Sequence, residues 1–298
     1  KKTGLSKTAK VNLQVRLDFE RTIMIANIYP EAYVQGNEWM KQENLAALTK
    51  TIFQKPAVQC EQILDVGCGT GDFTRDVLLP SHHSCCKIVA VDVSSTMVDY
   101  ARRNHGHSRI CYEVLDVTST DVSLFLDKHG KFDRIYSFFC LHWIRDQEAA
   151  FRNIGRLLKE DGECLLLFSA PFYLYHVWLK MAALERWKGI LGDPKDLFPD
   201  IWHRDPLPSL SDLENSLRKL ILDSGLSTLA CQVFSSEAYF RSQADVLGKL
   251  YLVLIGKLKK IYREDIYCCA LLRQISCLGH KLCVSLEYMP ICSTPDLK

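Results

Sequence analysis

The run Ile63-Leu64-Asp65-Val66-Gly67-Cys68-Gly69-Thr70-Gly71-Asp72 restricts the fold more than any other stretch of this chain. A short apolar strand that carries an acid passes through three alternating glycines into a helix opening at Asp72-Phe73-Thr74. Glycines serve where the backbone must turn tightly and where a ligand must come close to the main chain. Strand, glycine turn and helix in that order begin a nucleotide-type α/β domain.

The ligand class follows from what the loop lacks. A dinucleotide fingerprint needs glycine at its sixth position, and counting from Gly67 that position is Asp72. A phosphate loop needs Lys and Ser or Thr after its last glycine, and here Gly71 is followed by Asp72-Phe73. Asp72 and Asp76 at the helix start suit the helix dipole but repel a pyrophosphate. A cationic, zwitterionic nucleoside such as S-adenosylmethionine fits better. The one-three-five glycine spacing resembles motif I of the class I S-adenosylmethionine-dependent methyltransferases.

Downstream of the loop, strands and helices alternate. Strands are expected at 62–66, 87–91, 110–115, 132–138 and 164–169, with helices at 72–79, from the Ser94-Ser95-Thr96 cap onward, and at 146–158. The fifth strand is almost continuously apolar, as a strand buried on both faces should be. The pattern predicts a doubly wound sheet whose ligands sit at the carboxyl ends of the strands. Asp65, Asp92, Asp116 and Ser137 fall at those ends. An acid after the second strand is placed to hold a ribose diol. A helix at 37–53 precedes the alternation, with Trp39, Met40, Leu45, Leu48 and Ile52 on one side, and 11–28 is a further candidate helix. After Ser169 the alternation stops, and 170–210, rich in aromatics and prolines, reads as a lid over the strand ends. A helix opening on a Ser211-x-x-Glu214 cap, a sixth strand at 229–234, a basic helix at 246–262 and a last strand at 280–289 complete the reading.

With 298 residues, 48% of them hydrophobic, the chain is long enough for a substantial core. The net charge of +2 gives no argument for a nucleic-acid partner. No apolar run approaches the roughly 18 residues of a membrane span, and no apolar signal core follows the basic residues 1–10. Thirteen cysteines without a zinc-ligand spacing read as free thiols in a reducing, cytoplasmic setting, with no metal expected.

The run Phe138-Phe139-Cys140-Leu141-His142-Trp143-Ile144-Arg145-Asp146-Gln147-Glu148, with Ala150-Phe151-Arg152-Asn153-Ile154, Cys164-Leu165-Leu166-Leu167-Phe168 and Asp92-Val93-Ser94, resembles the juvenile hormone acid O-methyltransferases of arthropods. The resemblance spans residues 30–290 and is dense over 60–170. It implies a mostly parallel, seven-stranded Rossmann-like methyltransferase sheet with an inserted helical lid. The implied plan is N-terminal cap helices (1–55), a cofactor-binding core (56–170), an aromatic lid (171–215) and a C-terminal completion of the sheet (216–298). Asp65, Gly67, Cys68, Gly69 and Gly71 would hold the methionine part of S-adenosylmethionine. Asp92 and Val93 would meet the ribose, Asp116 and Val117 the adenine, and Ser137 would lie beside them. Trp143 falls on the family's substrate-contacting Trp. Where the family's N-terminal helix places a Gln near the substrate carboxyl, this chain has Met40.

A carboxylate is already ionised at pH 7 and needs no general base to take a methyl group from a sulfonium. It needs positioning in a dry pocket. The resemblance implies a small apolar acid of juvenile hormone acid or farnesoic type as the acceptor, which this chemistry suits. His142 and Trp143 are the candidate catalytic donors, and Trp39, Met40 and Trp202 join them as substrate contacts. Two readings stay open: a methyltransferase for an amine or phenol, and a methyltransferase-fold binding protein without catalysis. A monomer or homodimer is expected.

Overall fold

The structure is a computed structural model that describes residues 30–54, 61–83, 85–120, 122–170, 179, 183–185, 199–203, 208–237, 284–288 and 291–293. Five strands form its centre: β1 (Glu61–Val66), β2 (Cys85–Asp92), β3 (Ile110–Val114), β4 (Phe132–Phe138) and β5 (Leu158–Ser169). They are all parallel and lie side by side in the order β3-β2-β1-β4-β5. The chain steps outward from β1 to β3, then crosses back to lay β4 on the other side of β1. That reversal opens a crevice at the carboxyl ends of β1 and β4, where ligands of such sheets bind.

Four further strands are described where two were expected, all on the β5 side. These are β6 (Ser227–Ala230), β7 (Val233–Glu237), β8 (Val284–Tyr288) and β9 (Ile291–Ser293). β8 and β9 run antiparallel to β5, β7 pairs with β8, and β6 pairs with β9. The strand expected at 229–234 is thus two short strands with a break at Cys231 and Gln232. The described residues form nine strands rather than seven.

Helices cover both faces: α1 (Pro30–Gly36), α2 (Glu38–Lys50), α3 (Ser95–Asn104), α4 (Val122–His129), α5 (Gln147–Leu157) and α6 (Leu210–Asp223). One core joins Leu64, Val66, Ile135, Leu166 and Phe168 to Phe151, Ile154, Leu213 and Ile221. The other joins Ile63, Ala90, Tyr136 and Leu165 to Ala47, Phe73, Leu78 and Ala101, with Trp39, Met40 and Leu48 packed against it. The segment after the glycine loop winds one π-helical stretch, Thr74–Leu78, before its last turn, Leu79–Ser81. Two caps behave as their residue types require: Ser94 accepts from the Met97 N–H and Asp146 from the Ala149 N–H.

Several local expectations are corrected. α4 was not anticipated; its Val122 and Phe125 are buried against the sheet. α6 is capped by a reciprocal Ser209–Asp212 box, two residues before the expected Ser211–Glu214 pair, because Asp212 is the residue three after Ser209. Gly162 lies inside β5, where a Cβ would stand 3.0 Å from the Phe132 carbonyl. On α2 the buried line runs through Asn44 and Ala47, while Leu45 is 48% exposed and Ile52, beyond the helix end, 87%. The candidate segments 11–28 and 246–262 and most of the lid lie outside the described residues.

Candidate active site

The glycine loop is held from beneath and from both sides. Gly67, Gly69 and Gly71 take φ of 80°, 54° and 77°, a region that side-chain-bearing residues rarely enter. The N–H groups of Gly67 and Cys68 both donate to the Val91 carbonyl, at 2.7 and 3.0 Å, which fastens the loop to β2. A Cβ at Gly67 would lie 2.4 Å from both Cβ and Sγ of Cys140, so the loop passes directly over the end of β4. At Gly71 it would lie 2.8 Å from Ala101 and from the Tyr112 ring. Gly71 therefore serves close packing of the loop on α3 and β3.

Each acid expected at a strand end has its own partners. Asp65 is buried and accepts from the Thr74 hydroxyl at 2.6 Å. Burial pushes its carboxyl up to about 7, with Thr74 pulling the other way and Asp92 adding to the rise. Asp92 accepts from the Gly69 N–H through Oδ2 and the Ser94 N–H through Oδ1, both at 2.9 Å. Desolvation raises its pKa, and those two N–H groups restrain the rise. Val93, half-buried, sits between Asp92 and the cap of α3. Asp116 is exposed and accepts from the N–H and hydroxyl of Thr118, forming its own turn. Two expected contacts face elsewhere. The Val117 side chain belongs to the core beneath the sheet, and the Ser137 hydroxyl donates to the Val66 carbonyl at 2.9 Å, tying β4 to β1. The Cys68 thiol is raised well above its ordinary value, first by burial and then by Asp92 and Asp65.

The N-terminal helices close on this loop. Asn37, Met40, Lys41 and Asn44 have the i, i+3, i+4, i+7 spacing of one helix face. They line a pocket with Tyr33, Asp65, Gly67, Cys68, Asp72, Phe73 and Phe138. Lys41 Nζ lies 2.6 Å from Asp72 Oδ2, Asn37 Nδ2 donates to that oxygen at 3.2 Å, and Thr70 donates to Oδ1 at 2.9 Å. Burial works to raise Asp72, but the bonds from Lys41, Thr70 and Asn37 outweigh it and hold the carboxyl below its usual range. The Tyr33 ring approaches Gly69, and burial together with Asp72 and Asp92 lifts its phenol far above the ordinary value.

Beside the pocket runs a row of aromatic rings. Trp39 meets Phe139 at 5.5 Å between centroids, Phe139 meets His142 at 6.3 Å, and His142 meets Trp143 at 4.9 Å. Phe139 stands in the left-handed region at φ 49°, directly after β4. A non-glycine residue there costs on the order of 1 kcal/mol or more, and such strain clusters at functional sites. His142 and Trp143 lie in the one-turn helix Leu141–Trp143. His142 is buried, its Nδ1 accepts from the Ser169 N–H at 3.4 Å, and desolvation alone pushes its pKa down to about 3. The ring is therefore neutral, with its proton on Nε2. Trp202 lies in the short helix Asp200–His203, which is joined to the loop after Trp143 by the Arg145–Asp200 pair at 3.5 Å.

The sequence assigns no site role of their own to Tyr33, Asn37, Lys41, Asn44, Asp72, Phe73, Phe138 and Phe139, although Tyr33, Asn37 and Lys41 fall in the stretch that resembles the family's N-terminal substrate helix. A signal existed for three of them. Asn37, Lys41 and Asn44 make one polar line on a helix whose other faces are mixed. For Tyr33 and Phe139 the sequence carries no such sign.

Residues 63–162 match the family described as "Methyltransferase domain". The matched residues run from β1 into the first half of β5, the part that builds the glycine loop and carries Phe139, His142 and Trp143 of the aromatic row. The family uses S-adenosylmethionine. The chain is similar to the juvenile hormone acid O-methyltransferase of Bombyx mori, at 34% identity over 63% of this chain and 64% of that protein. It is also similar to the enzyme of the same name from Drosophila melanogaster, at 32% over 53% of each. The chain thus aligns over less than two thirds of the length of these relatives. Among solved structures, a methyltransferase-like protein from Bacillus halodurans shares the fold with TM-score 0.52 at 18% identity, covering 85% of this chain and 99% of that one.

Proposed function

We propose that this chain is an S-adenosylmethionine-dependent methyltransferase that esterifies the carboxylate of a small apolar acid, of the juvenile hormone acid or farnesoic type. In this reading Asp65, Gly67, Cys68, Gly69, Gly71, Asp92 and Val93 form the cofactor's bed, Asp116 and the main chain at Val117 border its base, and Ser137 supports the loop from below. Buried acids suit a cationic nucleoside. When bound, the cofactor supplies an electrophilic methyl on a sulfonium. Trp39, Met40, His142, Trp143 and Trp202 are the acceptor's contacts in this reading, and 171–215 is the lid within the four-part plan 1–55, 56–170, 171–215 and 216–298. The similarity to enzymes named for juvenile hormone acid supports the acceptor class. No helix of the described residues is long and apolar enough to cross a membrane. Free cysteines such as Cys68, Cys140 and Cys164 support a cytoplasmic site of action.

The observation that carries the acceptor's chemistry is the state of His142. A ring whose pKa is about 3 cannot take a proton from an ammonium or a phenol, both of which hold theirs to about 10. An acceptor beside His142 must arrive already ionised, which a carboxylic acid does. Asp65 titrates near 7, but it bonds to Thr74 on the cofactor's side of the site.

The test is methyl transfer from labelled S-adenosylmethionine to farnesoic, juvenile hormone and fatty acids, with an amine and a phenol beside them. Esters are expected from the apolar acids. With the cofactor saturating, the turnover rate should show no rise of tenfold per pH unit from pH 6 to 8, because the acceptor is ionised and His142 neutral throughout, while the titration of Asp65 near 7 should show in the cofactor's KM. A rate that climbs tenfold per pH unit, or transfer to the phenol alone, sinks the carboxylate reading.

A further inference from the structure

Two buried side-chain oxygens in the pocket have no hydrogen-bond partner: Oδ1 of Asn37 and Oδ1 of Asn44. The residues are 3% and 7% exposed, and both line the pocket, Asn37 from the N-cap of α2 and Asn44 from the helix face that continues it. A buried carbonyl oxygen left without a donor is costly, and native structures rarely keep one without a use for it. Two such oxygens on one wall form a place for a group rich in N–H and short of acceptors. Between them on the same face lies Lys41, whose ammonium is engaged by Asp72. An ammonium carries three donors, so Lys41 keeps capacity for a second anion.

We propose that this face of α2 is the cofactor's amino-acid recognition element: Asn37 and Asn44 accept from the α-ammonium, and Lys41, positioned by Asp72, meets the α-carboxylate. The inference rests on the S-adenosylmethionine reading and extends it to residues outside the glycine loop. A zwitterion is the ligand that matches one accepting wall and one cation side by side. The acceptor acid does not match. It brings only oxygens to two amide oxygens and to the carboxylates of Asp65 and Asp72, and the Asn37 amide nitrogen is already donating to Asp72. The assignment also divides α2 by function. Asn37, Lys41 and Asn44 read the cofactor, while Trp39 leans on Phe139 toward the acceptor's side. Seating the cofactor would fix α2 before the acceptor arrives.

The experiment is a calorimetric titration of the full chain with two probes: S-adenosylhomocysteine, and 5′-methylthioadenosine, which lacks the amino-acid end. Asn44→Leu and Lys41→Met should each weaken S-adenosylhomocysteine about tenfold, the loss of one ligand hydrogen bond, and leave 5′-methylthioadenosine within twofold. Asn44→Leu should also melt at a higher temperature than the parent, since it removes a buried carbonyl that has no donor. Equal loss of both probes in the variants, or no loss of either, overturns the proposal. A parent chain that binds neither probe overturns the cofactor reading itself, and a parent that binds only 5′-methylthioadenosine overturns the α2 assignment alone.

Discussion

Asp92→Ala is expected to weaken S-adenosylhomocysteine binding by two to four orders of magnitude while the chain stays folded. The carboxylate has two tasks. It holds the glycine loop in place through the Gly69 and Ser94 N–H groups, and in the proposed complex its remaining lone pairs accept from the ribose hydroxyls. Each hydrogen bond to a charged group contributes about 1.5–3 kcal/mol. Two bonds to the ribose therefore amount to about 3–6 kcal/mol, or roughly 10²–10⁴ in affinity. Asp92→Asn separates the tasks. Its amide oxygen can satisfy one backbone N–H, but its NH2 must then face the other, donor against donor. The asparagine variant should therefore lose affinity almost as severely as the alanine. Both probes of the α2 experiment contain the ribose, so both should weaken together here, in contrast to Asn44→Leu. A titration showing Asp92→Ala within threefold of the parent would remove Asp92 from the cofactor site.

How much of this site the sequence discloses depends on how local each interaction is. The glycine loop and the acids at 65, 92 and 116 are legible because strand, turn and helix are consecutive in the chain, and a parallel sheet sends every strand's carboxyl end to one edge. Side-chain direction is less legible. Val117 and Ser137 stand at strand ends, yet one points into the core and the other braces β1, since facing alternates from residue to residue. That the N-terminal helices cap the site is implied by the family resemblance, but which residues of α2 meet the loop is not legible. The Asn37–Asp72 bond joins residues far apart in the chain, and no pattern in either segment names the other. The same holds for the left-handed Phe139, next to the Cys140 that packs under Gly67, which has no sign in composition or period. α4 is hard to read because it is only eight residues long and its short apolar pattern suits a loop as well as a helix.

The second large effect lies at the opposite end of the same strands. Arg134 on β4 is buried and shared between two buried acids, Glu163 on β5, which it contacts through Nη1, and Glu61 on β1, 3.5 Å from its Nε. Its guanidinium lies 4.2 Å over the Phe53 ring, the Gln54 N–H donates to Glu163 at 2.9 Å, and the Tyr136 hydroxyl meets His82 beside Glu61. The cluster joins the three central strands to the end of α2 where the sheet faces away from the cofactor. Arg134→Met fills most of the same volume but takes from both carboxylates the cation they share. Breaking a buried pair in this way costs about 3–5 kcal/mol, which for a chain of this size lowers the melting temperature by roughly 6–15 °C. Combining Arg134→Met with Glu163→Gln should recover part of the loss, because one of the two stranded charges is then gone. Cofactor affinity measured well below the melting temperature should remain close to the parent's, since the pocket residues of α2 and the glycine loop are untouched. A single variant that melts within about 2 °C of the parent would mean that other groups compensate the two acids. A variant that melts normally but loses the cofactor would mean that the cluster acts on the pocket through α2 instead of on the stability of the sheet.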